Sequence, residues 1–175
     1  MVRRCQQGDP KAQEQAYAQY ADRLYRLVRR YIQDEDEAED VLMRAFVKAF
    51  HAIKTFQYQN EGSLEGWLRK IAVNESLMYL RKEHNFNLTE SLDDCASEPD
   101  LRQFSSLEAE DIYQFITQLP PGYRTVFNLY VIEGYDHSEI AALLSISEVT
   151  SRSQLFKAKA LLRKMLLREG YHYGT

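Results

Sequence analysis

Cysteine, tryptophan and long apolar runs are scarce in this chain, and each scarcity closes off a class of protein. Its 175 residues hold two cysteines and one tryptophan. Cys5 and Cys95 lie far apart and neither belongs to a CxxC pair, which argues against a disulfide or zinc framework and makes a reducing cytoplasm the expected compartment. No run of about eighteen apolar residues occurs, so no membrane-spanning helix is expected. The opening MVRRCQQGDP lacks the apolar stretch of a secretory signal. The histidines at 51, 84, 137 and 172 show no ligand spacing, and neither a metal nor another cofactor is expected. There is no glycine-rich phosphate loop and no nucleophile–base pairing, so an enzyme is the least supported class. Strand alternation is missing as well.

What remains is helix. Asp9-Pro10 reads as an N-cap followed by proline at the first helical position. Beyond it Ala16, Tyr20, Leu24, Leu27, Val28 and Tyr31 keep helical spacing, in one helix or two. The stretch DEDEAEDVLMRAFVKAFHAI crowds carboxylates at its amino end, as a helix dipole prefers. Its buried stripe is expected to be Ala38, Val41, Leu42, Ala45, Phe46, Ala49 and Ile53. After the polar loop QYQNEG, Ser63 reads as the cap of a third long helix. There Leu64, Trp67, Leu68, Ile71 and Ala72 face inward, while Lys70, Asn74 and Arg81 share a polar stripe.

Charge is distributed unevenly. The chain is acidic, net −4, yet residues 150–168 hold six Lys or Arg and no Asp or Glu. Residues 83–118 carry nine acidic residues against one arginine, and the remainder of the chain has 21 basic against 17 acidic. The stretch 84–106 lacks helical periodicity and reads as a flexible acidic linker. The expectation is an all-α fold of two small helical domains, 1–83 and 107–175, joined by that linker.

The second domain carries the sharper signal. Pro120-Pro121 opens a helix expected to run through Ile132, and Gly134 supplies its stop. Asp136 and Glu139 form a capping box, the short apolar EIAALLSIS follows, and the basic segment begins after a turn at Ser145-Ile146-Ser147. This order predicts a helix-turn-helix held by Ile140, Leu144, Ile146 and Leu155, with Ala141 at the close approach. Thr150, Arg152, Ser153, Phe156 and Lys157 are then available to the major groove, and the Arg152 fork suits the O6 and N7 edge of guanine. One such module binds weakly and loses affinity steeply with salt. A stand-alone regulator would need a dimer seam, and no heptad pattern offers one.

Taken together, AEDVLMRAFVKAF, EGSLEGWLRKIAVN, LRK, LPPGYRTVFNLYVIEGYDHSEIAALLSIS and SRSQLFKAKALL resemble the extracytoplasmic-function (ECF) sigma factors of bacterial RNA polymerase, over nearly the whole chain. The resemblance implies a specificity subunit that binds core polymerase and directs promoter recognition and transcription initiation; a stand-alone helix-turn-helix regulator is the alternative. It places Asn74 at a flipped-out base of the minus-ten element, with the loop 56–63, Tyr58 and Asn60 among it, supplying the rest of that pocket and Lys70 and Arg81 on backbone phosphates. It assigns Asp40, Met43, Arg44, Phe46 and Val47 to the clamp helices of the polymerase's largest subunit, and the second domain to the minus-thirty-five element and the flap. Promoter DNA and an anti-sigma factor are the other partners it implies.

The sequence departs from that pattern at four points. Met43-Arg44 stands where Gln-Glu is usual, and Ser145 replaces the turn glycine. Val149 replaces a glycine near the start of the recognition helix, and Ser151 an apolar residue. An extended linker of this length would reach roughly 75–80 Å. That lets two weak readers act as one bivalent ligand once polymerase holds both.

Overall fold

A computed structural model describes residues 1–60, 62–83 and 109–170, and among them helices and turns are the only regular structure. The expected linker 84–106, with Cys95, lies outside the described residues. The chain separates into two compact units, Met1–His84 and Asn85–Thr175.

The first unit begins with a short helix that the sequence did not announce, α1 (Val2–Gln6), whose Cys5 is buried. α2 (Pro10–Arg29) starts at the expected cap: Asp9 accepts from the Lys11 and Ala12 amides, and its carboxylate pairs with Arg4 at 2.7 Å. The periodic stretch beyond it is one helix ending at Arg29, after which Tyr31 and Ile32 stay in the core. α3 (Glu35–Ala52) is capped by Asp34 and runs into a single 3-10 turn, Ile53–Thr55. All seven residues of its expected stripe are buried.

α4 (Ser63–Glu83) includes Ser63 as its first residue, one position further in than a cap. The Ser63 hydroxyl reaches back into the loop, donating to the Asn60 carbonyl at 2.7 Å. Leu64, Leu68, Ala72, Val73, Leu77 and Leu80 face inward, while Trp67 and Ile71 are half-buried at the edge of that stripe. Trp67 packs on Phe56, ring centroids 5.0 Å apart. α2, α3 and α4 pack against one another, and burial of each large aliphatic or aromatic side chain among them stabilises the unit by about 1.5–3 kcal/mol. Ion pairs join these helices as well, among them Arg23–Glu65 at 3.0 Å, Arg29–Glu35 at 3.3 Å and Lys48–Glu75 at 2.7 Å, the last with Glu75 nearly buried.

The second unit contains α5 (Ala109–Thr117), α6 (Pro121–Phe127), α7 (His137–Leu144) and α8 (Glu148–Arg168). The helix expected to reach Ile132 is α-helical only to Phe127. Asn128–Ile132 form a π-turn, closed by the Glu133 amide on the Asn128 carbonyl at 2.9 Å. Gly134, at φ +79°, then turns the chain where a side chain would be strained. Leu119, Val126, Leu129, Ile140, Leu155, Ala158 and Leu162 make the core, with α6 and α7 both lying on α8.

A buried cation organises the α5–α6 corner. Arg124 is 5 % exposed, and its Nη1 donates to the carbonyls of Thr117 (2.8 Å) and Leu119 (3.2 Å), which end α5 and begin the turn. The guanidinium thereby donates to carbonyls at and just after the end of α5, and its positive charge faces the negative end of the α5 dipole. Burial alone pushes its pKa down from the usual arginine value, without threatening the charge. Arg124→Met keeps the bulk and strands two acceptors. It is expected to destabilise the second unit by about 2–4 kcal/mol, measured by denaturant unfolding of the full chain.

Candidate nucleic-acid interface

The helix-turn-helix is built from local chemistry. Asp136 accepts from the Glu139 amide at 2.8 Å while the Glu139 carboxylate accepts from the Asp136 amide at 2.8 Å, the reciprocal box that starts α7. α7 ends at Ser145, the one described non-glycine residue with positive φ (56°, ψ 44°). Its left-handed turn lets the Ile146 amide return to the Ala141 carbonyl at 3.0 Å. A serine there is strained by about 1–2 kcal/mol where glycine would not be. Ser147 then caps α8 by accepting from the Thr150 amide at 2.9 Å. Ile140, Leu144 and Leu155 are buried between the helices, with Ile146 partly covered.

A polar bolt replaces the apolar contact expected at Ser151. That residue is fully buried, and its hydroxyl meets His137 Nδ1 at 2.8 Å. The His137 ring in turn stacks on Tyr130, centroids 4.5 Å apart. The first turn of α7 is therefore tied both to α8 and to the π-turn.

The outward face of α8 differs from the sequence expectation at one position. Arg152 is exposed, Thr150, Phe156 and Lys157 are partly exposed, but Ser153 is buried and turned into the unit. Ser153 therefore leaves the set of groove contacts. Thr150 is occupied at the cap, its hydroxyl 2.8 Å from that of Ser147. Two residues the sequence reading missed take the exposed first turn: Val149, 54 % exposed, and Glu148, which holds Arg152 at 2.9 Å. Their spacing of three and four residues before Arg152 was the available signal. Further along, Arg163, Lys164 and Arg168 are exposed.

In the first unit, Lys70, Asn74 and Arg81 are all exposed along α4, and Met78, 53 % exposed, joins them on the same line. Tyr58 is 56 % exposed on the loop before α4, whereas Asn60 is engaged locally, its Oδ1 accepting from the Gly62 amide at 3.1 Å. On α3, Asp40, Met43, Arg44 and Val47 are exposed. Phe46 is a correction: it is 2 % exposed, between Tyr17 (centroids 4.8 Å) and Phe50 (5.8 Å), and lies beneath the exposed α3 residues without forming part of their surface. Among the described residues, no group of three or more His, Cys, Asp or Glu is placed to hold a metal, and no helix is long and apolar enough to cross a membrane.

The model of sigma-70 region 2 matches residues 16–86, and that of sigma-70 region 4 matches residues 109–162. The chain is 29 % identical to the RNA polymerase sigma-H factor of Pseudomonas aeruginosa, over 95 % of this chain and 92 % of that protein. It is likewise 29 % identical to the ECF RNA polymerase sigma-E factor of Escherichia coli K12, over 91 % and 88 %. In fold it is similar to the sigma factor RpoE of Bartonella quintana, solved with the anti-sigma factor NepR (TM-score 0.53, 21 % identity, 88 % of this chain and 96 % of that one). It is also similar to CnrH, solved with the cytosolic domain of CnrY (TM-score 0.51, 24 % identity, 96 % of each).

Two substitutions probe the helix-turn-helix. Hydrogen bonds from Ser138 and the Glu139 amide hold the Asp136 carboxyl below the usual carboxylate range. A depressed folded-state pKa contributes stability above the ordinary value of about 3.9, and that contribution is lost as pH falls through the folded value. Asp136→Asn keeps an amide acceptor that does not titrate there, so its thermal midpoint is expected to fall less steeply than wild type below about pH 4. Glu148→Gln releases Arg152 from an exposed ion pair and removes a negative charge from the outward face of α8. It is expected to raise duplex affinity about two- to five-fold at low salt, with the gain shrinking as salt is added, as read by fluorescence anisotropy.

Proposed function

The chain belongs to the extracytoplasmic-function sigma factors, and on that premise we propose how its two units divide the work of promoter recognition. It binds core RNA polymerase and directs it to promoters. Residues 1–83 serve as the region that meets the minus-ten element and the clamp helices, and residues 107–175 as the region that meets the minus-thirty-five element and the flap. The observation that carries this division is the presence, in one chain, of two separately packed units that each expose basic or amide side chains on one helix: Lys70, Asn74 and Arg81 on α4, and Arg152 with the cations beyond it on α8.

In the second unit, Arg152 reads a guanine edge from the first turns of α8, with Val149 placed for a thymine methyl. Phe156 and Lys157 flank them, and the later cations take phosphates. In the first unit, Asn74 offers donor and acceptor to a base edge that becomes legible once the base leaves the stack. Lys70 and Arg81 hold the backbone on either side. Polymerase docks across Asp40, Met43, Arg44 and Val47. Met43 and Val47 give that surface an apolar centre and Arg44 a cation, so the contact is more apolar than the Gln-Glu pair usual in the family would make it. An anti-sigma factor covering the same exposed stripe would compete with polymerase directly. The chain acts in the cytoplasm and adds no catalytic group of its own, the chemistry being the polymerase's.

Reconstitution tests this. The chain alone is expected to give little sequence-specific gel shift at near-physiological salt, and promoter-dependent transcription once core polymerase is added. Tight binding to one palindromic duplex without polymerase would instead identify a stand-alone regulator. Within the holoenzyme, Arg152→Ala is expected to cost about 1–3 kcal/mol of upstream-element discrimination and leave polymerase binding intact. Asn74→Ala should leave upstream docking in place and impair strand opening, followed by permanganate reactivity of unpaired thymines.

A further inference from the structure

Ser151 sits between Val149 and Arg152, the two residues of α8 proposed to meet bases, and is itself fully buried. Its hydroxyl lies 2.8 Å from His137 Nδ1, across fourteen residues of sequence. The face of the His137 ring is stacked on Tyr130, with centroids 4.5 Å apart and planes 23° from parallel. A hydrogen bond constrains direction as well as distance, and the stack keeps the imidazole from following the serine if α8 turns.

Neighbouring polar contacts of the helix-turn-helix act within one helix. The Asp136–Glu139 box is confined to the start of α7, Ser147 caps α8 on the Thr150 amide, and Glu148 holds Arg152 one turn along the same helix. None of these three sets one helix against the other. Ile140, Leu144 and Leu155 do join α7 to α8, but aliphatic contacts are non-directional and resist a small turn of α8 about its axis only weakly. The Ser151–His137 bond opposes that turn at the leading end of the helix. Arg152 follows one residue later, about 1.5 Å along the axis and about 100° around it. A turn of about 10° moves a group about 6 Å from the axis by about 1 Å. The donor–acceptor window of a good hydrogen bond is only about 0.5 Å wide, so such a turn spoils a bidentate contact to a base edge.

We propose that Ser151 and His137 are positioning residues that set the sequence preference of the second unit. Neither reads a base; their bond fixes the rotation of α8 and with it the reach of Arg152 and Val149. Tyr130 holds the histidine ring in place for them. The inference rests on the assignment of this unit to the minus-thirty-five element and adds a determinant of specificity that lies inside the unit.

Holoenzyme assembled from the full chain and core polymerase is offered promoters with a fixed minus-ten element and a randomised minus-thirty-five element, and the retained sequences are counted. Wild type is expected to enrich one upstream sequence. Ser151→Ala and His137→Leu should each lower the preference for the favoured base at one or two adjacent positions about three- to ten-fold. The double variant should lose no more than either single one, because both act through the same bond. His137→Asn puts an amide near the place of Nδ1, able to accept or donate there, and should keep the wild-type preference. Glu14→Ala, exposed on α2, serves as the control. Three results overturn the positioning role and leave the upstream assignment standing: unchanged preference in both single variants, equal loss of every sequence with no change of ratio, or a loss in His137→Asn as large as in His137→Leu. Failure of wild type to enrich any upstream sequence overturns both.

Discussion

Each of the long helices α3, α4 and α8 has one circumference and two partners to satisfy. With 3.6 residues per turn, a stripe given to the core is unavailable to any outside partner, and the stripe opposite it is all that function can use. On α3 the core takes Ala38, Val41, Leu42, Ala45, Phe46, Ala49 and Ile53, so Asp40, Met43, Arg44 and Val47 are left on the outside with Glu39, Lys48 and His51. The same partition on α4 commits Leu64, Leu68, Ala72, Val73, Leu77 and Leu80 inward and leaves Lys70, Asn74, Met78 and Arg81 in a line. On α8 it removes Ser151, Ser153 and Gln154 from view and leaves Glu148, Val149 and Arg152. Interface residues here are what packing releases.

That constraint explains where sequence reading succeeded and where it stopped. The α3 stripe was legible because its apolar residues are small or aliphatic and regularly spaced, with Phe46 in phase. Phe46 was nonetheless assigned to a docking face as well. An aromatic residue beside exposed Met43 and Val47 looks like part of their patch until its phase is counted. Ser153 failed for the opposite reason. A small hydroxyl residue in a basic helix reads as polar surface, and nothing in its chemistry signals burial beneath α8. Cap chemistry was the most readable layer of all. Asp9, and Asp136 with Glu139, act within a few residues of themselves, so no tertiary information is needed to place them.

The long-range polar contacts were not readable. Arg124 on the α5 carbonyls, Ser151 against His137, and Glu75 under Lys48 join partners 7, 14 and 27 residues apart. Each looks in isolation like an ordinary surface side chain. They share a physical character: a polar group buried only because its partner is supplied by another element, and costly if that partner is lost. The departures from the family pattern in the helix-turn-helix belong with them. Ser145 stores strain that glycine would avoid, while Ser151 exchanges apolar packing for a hydrogen bond to the first turn of α7. The two helices are thus held by directional bonds at their crossing as well as by Ile140, Leu144 and Leu155. Directional bonds fix an angle more tightly than an aliphatic contact does, and the angle sets which of the first α8 residues reaches a groove.

Charge shows why reading unstacked bases would matter to such a protein. The chain is net negative, and the cations facing outward on α8 are opposed in part by Glu148. Long-range attraction to a polyanion is therefore weak, and affinity has to come from contacts made at short range after delivery by polymerase. Stacking serves that purpose well. It needs no net charge, is only weakly screened by salt, and becomes available only after a base has left the duplex. A reader that relies on unstacked bases favours the opened promoter over the closed one by the whole of its stacking energy. Each base captured once it has left the stack moves the equilibrium in the same direction without tightening the grip on intact DNA.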